Sequence, residues 1–210
     1  MTAASPARPG LRPPTRPPWT AGPDVLRVVW TQPRATVRWM LDHETPALSW
    51  WLVGAASVSA AVADGALLDS NVVIGRWAGF VEIMVAIAIG YVAWWGAALV
   101  LVVFGRALGG AGTTRELAVA VAYGQAPAAA SLPFALMKTW SVAVDSPGSE
   151  AIATLCMSVL WAWSIATVVL GAAEAHRFSA ARAALCGLAV VGFYALLGVG
   201  LHLWLAASGP

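Results

Sequence analysis

The sequence predicts an all-α integral membrane protein, a bundle of five transmembrane helices with an amphipathic interfacial helix at its amino-terminal side. Hydrophobic residues make up 60% of the 210 residues and charged residues only 10%, and the mean hydropathy is +0.75. Soluble domains carry roughly a quarter of their residues as charges. This composition therefore cannot cover a water-facing surface, and lipid is the expected solvent.

Five apolar segments support this fold class, because each is long enough to cross a hydrocarbon core of ~30 Å as a helix. The transmembrane domain that contains them is assigned to residues 46–210. The segments are residues 47–64, 77–105, 117–137, 151–171 and 183–207.

Two different segments precede the first span. Residues 1–23 hold seven prolines and three arginines, which favour a disordered, solvated tail that serves as a tether or as a polyproline ligand. Residues 24–45 mix apolar and basic positions, with Trp30 on the apolar side and Arg34 and Arg38 one helical turn apart. Such a segment suits the lipid head-group region. Packing onto the ends of the spans is a second, compatible interpretation.

The distribution of basic residues predicts the orientation. With the tail in the cytoplasm, ten of the twelve Arg and Lys residues lie inside, and only Arg76 and Lys138 lie outside. The positive-inside rule therefore predicts a cytoplasmic amino terminus and an external carboxyl terminus. The absence of an organellar transit signal favours a prokaryotic plasma membrane.

A polar site within the membrane is predicted around the second and third spans. Glu82 lies about five residues, or ~7.5 Å of helix rise, from the outer end of its span, where it could handle a solute or proton, reach the head groups or pair with Lys138. The third span contains Gln125, Pro127 and Pro133. Each proline removes a backbone donor, so a kink is expected, and the freed carbonyls could line a polar cavity.

A glycine-rich loop separates the second and third spans. Gly109 and Gly110 favour a tight turn, and Thr113 followed by Glu116 has the spacing of a helix capping box. The loop superficially resembles a phosphate cradle. However, it lacks the Gly-Lys-Ser/Thr ending and a preceding strand, so the tight turn is favoured.

No catalytic, metal or cofactor site is expected. The histidines His43, His176 and His202 lie in different regions, and neither their spacing nor the two cysteines form a metal-ligand set. Serines in the spans have no histidine near them in sequence. His176, with Glu174 and Arg177, is expected to solvate and anchor the turn after the fourth span.

Three sequence elements, taken in order, resemble the Yip-one domain family, membrane proteins named for interaction with Ypt/Rab GTPases. The first is W-T-Q-P-R-A-T-V-R, Trp30–Arg38. The second is the glycine turn Gly109–Leu117 followed by A-Y-G-Q-A-P, Ala122–Pro127. The third is W-S-I-A-T-V-V-L-G, Trp163–Gly171, followed by F-S-A-A-R-A, Phe178–Ala183.

The resemblance covers roughly residues 27 to 205 and implies five spans with a cytoplasmic amino terminus. Eukaryotic relatives are linked to vesicle traffic, small-GTPase binding and membrane shaping. Their acidic Asp-Leu-Tyr-Gly-Pro segment is absent before Trp50, so GTPase binding is not carried over to this chain. The resemblance implies no catalytic residues.

Two functions fit these sequence features. The first is a non-enzymatic scaffold that organises proteins or lipids, with the bilayer, other membrane proteins or a second copy as partners and no role for nucleic acid. The alternative is a pathway for a small solute, ion or lipid that uses Glu82 and the kinked third span. The two differ in whether Glu82, Gln125 and the prolines converge on one cavity.

Overall fold

The computed structural model describes residues 28, 30–43, 46–65 and 73–207. The predicted tail, residues 1–23, lies outside the described residues. No strand occurs in the described part of the chain. Its helices are α1 (Pro33–His43), α2 (Pro46–Ala63), α3 (Val73–Ala107), α4 (Thr114–Gly124), α5 (Ala126–Ala129), α6 (Leu132–Ala143), α7 (Pro147–His176) and α8 (Ala180–Ala207).

Four stretches of helix are long and apolar enough to cross a membrane, and the bent series from α4 to α6 is a fifth if it counts as one span. The predicted fold class, an all-α membrane bundle, is confirmed. The four are Ala47–Asp64, Trp77–Ala107, Pro147–His176 and Ala180–Leu197.

The third predicted span is broken into three helices. Pro127 and Pro133 occupy the first turns of α5 and α6, where the missing N–H of proline is tolerated. The segment Thr114–Ala129 meets Leu132–Ala143 at an angle of 41°. The expected kink is therefore present, and it takes the form of two helix restarts.

The helices form a ring of neighbours, in which α2 contacts α3, α3 contacts α8, α8 contacts α7, α7 contacts α6 and α6 returns to α2. α4 packs against α2, α3 and α7, and six of its seven residues from Leu117 to Tyr123 are buried. A β-carbon at Gly124 would lie 2.3 Å from Val168 Cγ2, and one at Gly90 would lie 1.9 Å from Ser57 Oγ. Small residues thus permit the close helix contacts on which membrane bundles depend.

The two ends of the bundle differ. One end holds α1, the α3–α4 turn and the α7–α8 turn, and α1 packs there against α4 and α7. We call it the α1 end. The opposite end holds the carboxyl terminus of α2 and the α6–α7 turn, since successive spans are antiparallel.

Candidate functional site

A cavity of about 490 Å³ lies between α2, α3, α4, α7 and α8. Its walls are mostly apolar, and Glu82, Gln125 and Asp64 contribute a carboxylate or an amide to the lining. The volume lies within the range of ~300–1,000 Å³ that is usual for small-molecule sites. The structure therefore brings Glu82 and Gln125 together around one cavity.

Lys138 binds the end of α2, whereas the sequence offers Glu82 as its possible partner. Its ammonium donates to the carbonyl of Ala63 at 2.8 Å, and the neighbouring Thr139 hydroxyl donates to the carbonyl of Val62 at 3.0 Å. Both carbonyls lie in the last turn of α2, where helices lack internal donors. Among the described residues no ion pair joins Lys138 to Glu82.

Pro127 and Pro133 are not among the residues that line the cavity. At the helix break beside Pro127, the carbonyl of Gly124 accepts hydrogen bonds from Ser164 Oγ at 2.6 Å and Thr167 Oγ1 at 3.0 Å. The backbone acceptor that the helix break leaves free is thus satisfied by α7, as membrane depth requires. The broken span is therefore hydrogen-bonded to α7 at this break, and it contributes Val121 and the polar Gln125 to the cavity lining.

The glycine-rich loop forms a turn and a complete capping box. Thr113 Oγ1 accepts from the backbone N–H of Glu116, and the Glu116 carboxylate accepts from the backbone N–H of Thr113 at 2.7 Å. Gly109 has a φ of +85°, a left-handed conformation that favours glycine. Of the two predicted turn glycines, Gly109 therefore supplies the conformation, and Gly110 meets a different requirement.

That requirement is space for His176, which is only 2% exposed. The expectation that His176 solvates the turn is therefore wrong. A β-carbon at Gly105 would lie 2.0 Å from the imidazole Nε2, and β-carbons at Gly110 and Gly112 would lie 2.5 Å and 2.8 Å from Nδ1. We call this enclosure, formed by Gly105, Gly110, Gly112, Leu101 and Phe178, the His176 socket.

Hydrogen bonds fix the protonation of the imidazole. Nδ1 accepts from the backbone N–H of Gly112 at 3.1 Å, so Nε2 carries the proton and donates to the carbonyl of Leu101 at 3.0 Å. The ring also stacks on Phe178, with centroids 4.8 Å apart. A neutral histidine thus joins the end of α3, the glycine turn and the end of α7.

The Yip1 domain matches the chain over residues 27–202. This chain belongs to the Yip1 domain family. No curated protein and no solved structure gives a significant match. With its apolar helices, the chain is a multi-pass membrane protein of the Yip1 type.

In this Yip1 domain, the three elements of the sequence resemblance pack against one another, from the middle of α7 to the α1 end. Trp30 lies beside Trp163 of α7 and packs on a cluster that includes Tyr123 of α4. The glycine turn and Phe178 enclose His176. The residues that carry the resemblance are therefore distant in the sequence but form one contiguous region of the fold.

α1 is held on this region by its apolar face. Thr36, Val37 and Met40 are at most 1% exposed, whereas Arg34 and Arg38 are exposed. A β-carbon at Gly171 of α7 would lie 3.1 Å from Val37 Cγ2. The segment Trp30–Arg38 therefore runs along α7. Trp30 lies beside Trp163, and Arg38 contacts Glu174, about 16 Å of helix rise further along α7.

A cleft of about 560 Å³ separates α1 from the end of α7, and we call it the α1–α7 cleft. The Arg38 guanidinium contacts Glu174 in it, with Nε donating to Oε1 at 2.6 Å and Nη2 in contact with the same oxygen. Within the described residues, no group of three or more His, Cys, Asp or Glu side chains is placed to hold a metal ion. The charged side chains that line the cleft are Arg34, Arg38, Arg177, Glu116 and Glu174.

Proposed function

We propose that this Yip1-domain protein is a non-enzymatic membrane organiser that gathers lipids or membrane proteins at its α1 end. The observation that carries this proposal is the docking of α1. Its Thr36, Val37 and Met40 are buried against the bundle, while Arg34 and Arg38 remain exposed. A cationic surface fixed to a membrane bundle at this position suits anionic head groups.

The proposed orientation places the α1 end in the cytoplasm and the carboxyl terminus outside. It is supported by the ten-to-two distribution of basic residues. Arg106, Arg115 and Arg182 add to the positive charge at this end. In this orientation the arginines face the leaflet in which anionic lipids are usually concentrated.

The proposed partners are the bilayer itself and the helices of other membrane proteins or of a second copy. The outer faces of α3 and α8 carry large apolar side chains, such as Val92 and Leu196, each 74% exposed. Such faces require lipid or another apolar helix around them.

The proposal is tested by energy transfer from the tryptophans of the protein, of which the chain has twelve, to dansyl-labelled lipids in mixed vesicles. An organiser of anionic lipids gives more transfer to dansyl-phosphatidylglycerol than to dansyl-phosphatidylcholine at equal mole fraction. Raised salt reduces the difference, because screening weakens exposed charge interactions. Equal transfer to both lipids at low salt contradicts this part of the proposal.

A pathway for a small solute or ion is the second candidate, because Glu82 and Gln125 line the same cavity. Solute flux in proteoliposomes separates the two candidates. The organiser gives no flux above protein-free vesicles. Flux that disappears with Glu82→Gln or Gln125→Ala, and persists with Glu150→Gln, supports the pathway and overturns the organiser, since Glu150 does not line the cavity.

A further inference from the structure

The α1–α7 cleft has two arginines, Arg34 and Arg177, that form no ion pair with any described residue. Three arginines and two glutamates line it, which leaves a net charge of +1. Glu116 is engaged by Thr113, whose backbone N–H and hydroxyl both donate to Oε2, at 2.7 Å and 2.8 Å. Glu174 is engaged by Arg38. In the part of the chain that the structure describes, neither Arg34 nor Arg177 has an ion-pair partner.

The position of Arg177 is unusual for an arginine. It ends α7 with φ 59° and ψ 38°, in the left-handed region. Its N–H bonds to the carbonyl of Glu174 at 3.1 Å, and the N–H of Phe178 bonds to the carbonyl of Ala173 at 3.1 Å. This is the Schellman type of helix end, at which glycine is the usual residue because it has no β-carbon. An arginine occupies this position despite the backbone strain, which indicates a role for its side chain.

The cleft lies at the end of a membrane-length helix. Arg177 directly follows Pro147–His176, a helix long and apolar enough to cross a membrane, so in the proposed orientation it lies at the cytoplasmic boundary of the hydrocarbon core. Leu41 and Phe178 give the cleft an apolar wall beside its cations. A ligand that combines an anionic group with an apolar body matches both features.

We infer that Arg34 and Arg177 hold the phosphate of one anionic glycerophospholipid in the α1–α7 cleft. Guanidinium groups present paired N–H donors in the geometry that phosphate oxygens accept, which makes arginine well suited to this head group. The apolar wall contacts the glycerol and the first acyl carbons. Arg38, held by Glu174, positions α1 and leaves Arg34 directed to the cleft.

This inference rests on the proposed function and is tested with the same full-length protein and tryptophan-to-dansyl transfer. The variants are Arg34→Gln and Arg177→Gly, and the matched control is Arg182→Gln, an exposed arginine at the same end that does not line the cleft. Each cleft variant is expected to weaken the preference for phosphatidylglycerol about tenfold, as expected for loss of one charge-assisted contact. The control is expected to retain the preference.

The outcomes distinguish the two levels of proposal. No preference in the unaltered protein removes the proposed lipid-organising function. A preference that survives both cleft variants, or that Arg182→Gln reduces equally, overturns the cleft site and leaves the proposed function standing. Arg177→Gly also guards against misfolding, because glycine relieves the left-handed strain and is expected to fold.

A final arm separates lipid from free phosphate. Inorganic phosphate and glycerol phosphate are added at 10-fold excess over phosphatidylglycerol, with sodium chloride at matched ionic strength. The inference expects them to displace the lipid no better than the salt does. Displacement specific to free phosphate, lost in Arg34→Gln, overturns the lipid assignment.

Discussion

The imidazole Nδ1 of His176 accepts a hydrogen bond from the backbone N–H of Gly112, 64 residues earlier in the chain, at 3.1 Å. Through Nε2 the same ring reaches the carbonyl of Leu101, which is 75 residues away. One side chain therefore satisfies two buried backbone groups from the end of α3 and from the turn that follows it. This contact holds together the end of the bundle on which α1 rests.

Replacing His176 is expected to destabilise the protein. His176→Ala leaves the buried Gly112 N–H without its acceptor, removes the hydrogen bond to the Leu101 carbonyl and opens a void beside Phe178. Together these effects should lower the free energy of unfolding by about 2–4 kcal/mol. Thermal unfolding in detergent measures the change. Ser158→Ala, on the exposed face of α7, is the control and should leave the melting temperature within a degree or two.

Acid should weaken the same contact. Nδ1 can accept the Gly112 N–H only while the ring is neutral, so protonation removes the hydrogen bond and places a charge in the socket. The stabilisation is therefore complete above about pH 6.5, where a free imidazole loses its proton, and declines as the pH falls below that. Burial of the ring opposes its protonation, and the weaker effects of Glu116 and Arg106 on it have opposite signs. The measurement is the melting temperature at pH 5 and 7.5, and the drop should be smaller in His176→Ala than in the unaltered protein.

The glycines of the socket should tolerate no side chain. At Gly105 an added β-carbon would lie 2.0 Å from Nε2 of His176, so Gly105→Ala should cost about 1–3 kcal/mol through overpacking. Alanine favours a helix over glycine, so the propensity effect works in the opposite direction. Gly148→Ala is the matched control, because a β-carbon there meets nothing within 4 Å, and it should be neutral or slightly stabilising. Equal melting temperatures for the two variants would show that the socket relaxes freely.

Local sequence patterns predict much of the fold, but they do not predict the contacts between residues that are distant in the sequence. The apolar segments, the prolines at 127 and 133 and the Thr113–Glu116 box act over a few residues, so a linear sequence displays them. The environment of His176 depends on residues from three separate helices and turns. In the sequence, Gly110 and Gly112 are the sign of this buried environment. The turn needs a positive φ only at Gly109, so the additional glycines indicate a close contact, which the structure shows to be with His176.

The candidate site was predicted in part for the same reason. Glu82 and Gln125 are predicted from the sequence to be polar residues at membrane depth, and both line one cavity in the structure. The sequence offers Lys138 as a partner for Glu82 because both lie near the outer ends of their spans. Its actual acceptor, the Ala63 carbonyl, is a backbone group at a helix end that hydropathy does not display.

Lys138 should contribute to stability through the end of α2. Its ammonium satisfies the Ala63 carbonyl and opposes the negative end of the helix dipole. Lys138→Met preserves the length and apolar stem of the side chain and should lower the free energy of unfolding by about 0.5–2 kcal/mol. Glu82→Gln is the comparison, because Glu82 is exposed and forms no ion pair with any described residue. A larger loss in Glu82→Gln than in Lys138→Met would contradict this assignment.

Arg177 should show opposite effects on stability and on lipid binding. Glycine adopts the left-handed conformation at the end of α7 without strain, so Arg177→Gly should raise the free energy of unfolding by about 0.5–1 kcal/mol. The same change removes one of the two cations proposed to hold a lipid phosphate. Melting temperature and tryptophan-to-dansyl transfer, measured on one preparation, test both effects. A stabilised variant that loses its preference for phosphatidylglycerol would mean that the chain keeps arginine at a glycine position for the sake of binding. A destabilised variant would instead mean that the guanidinium supports the fold, because backbone strain alone predicts the reverse sign.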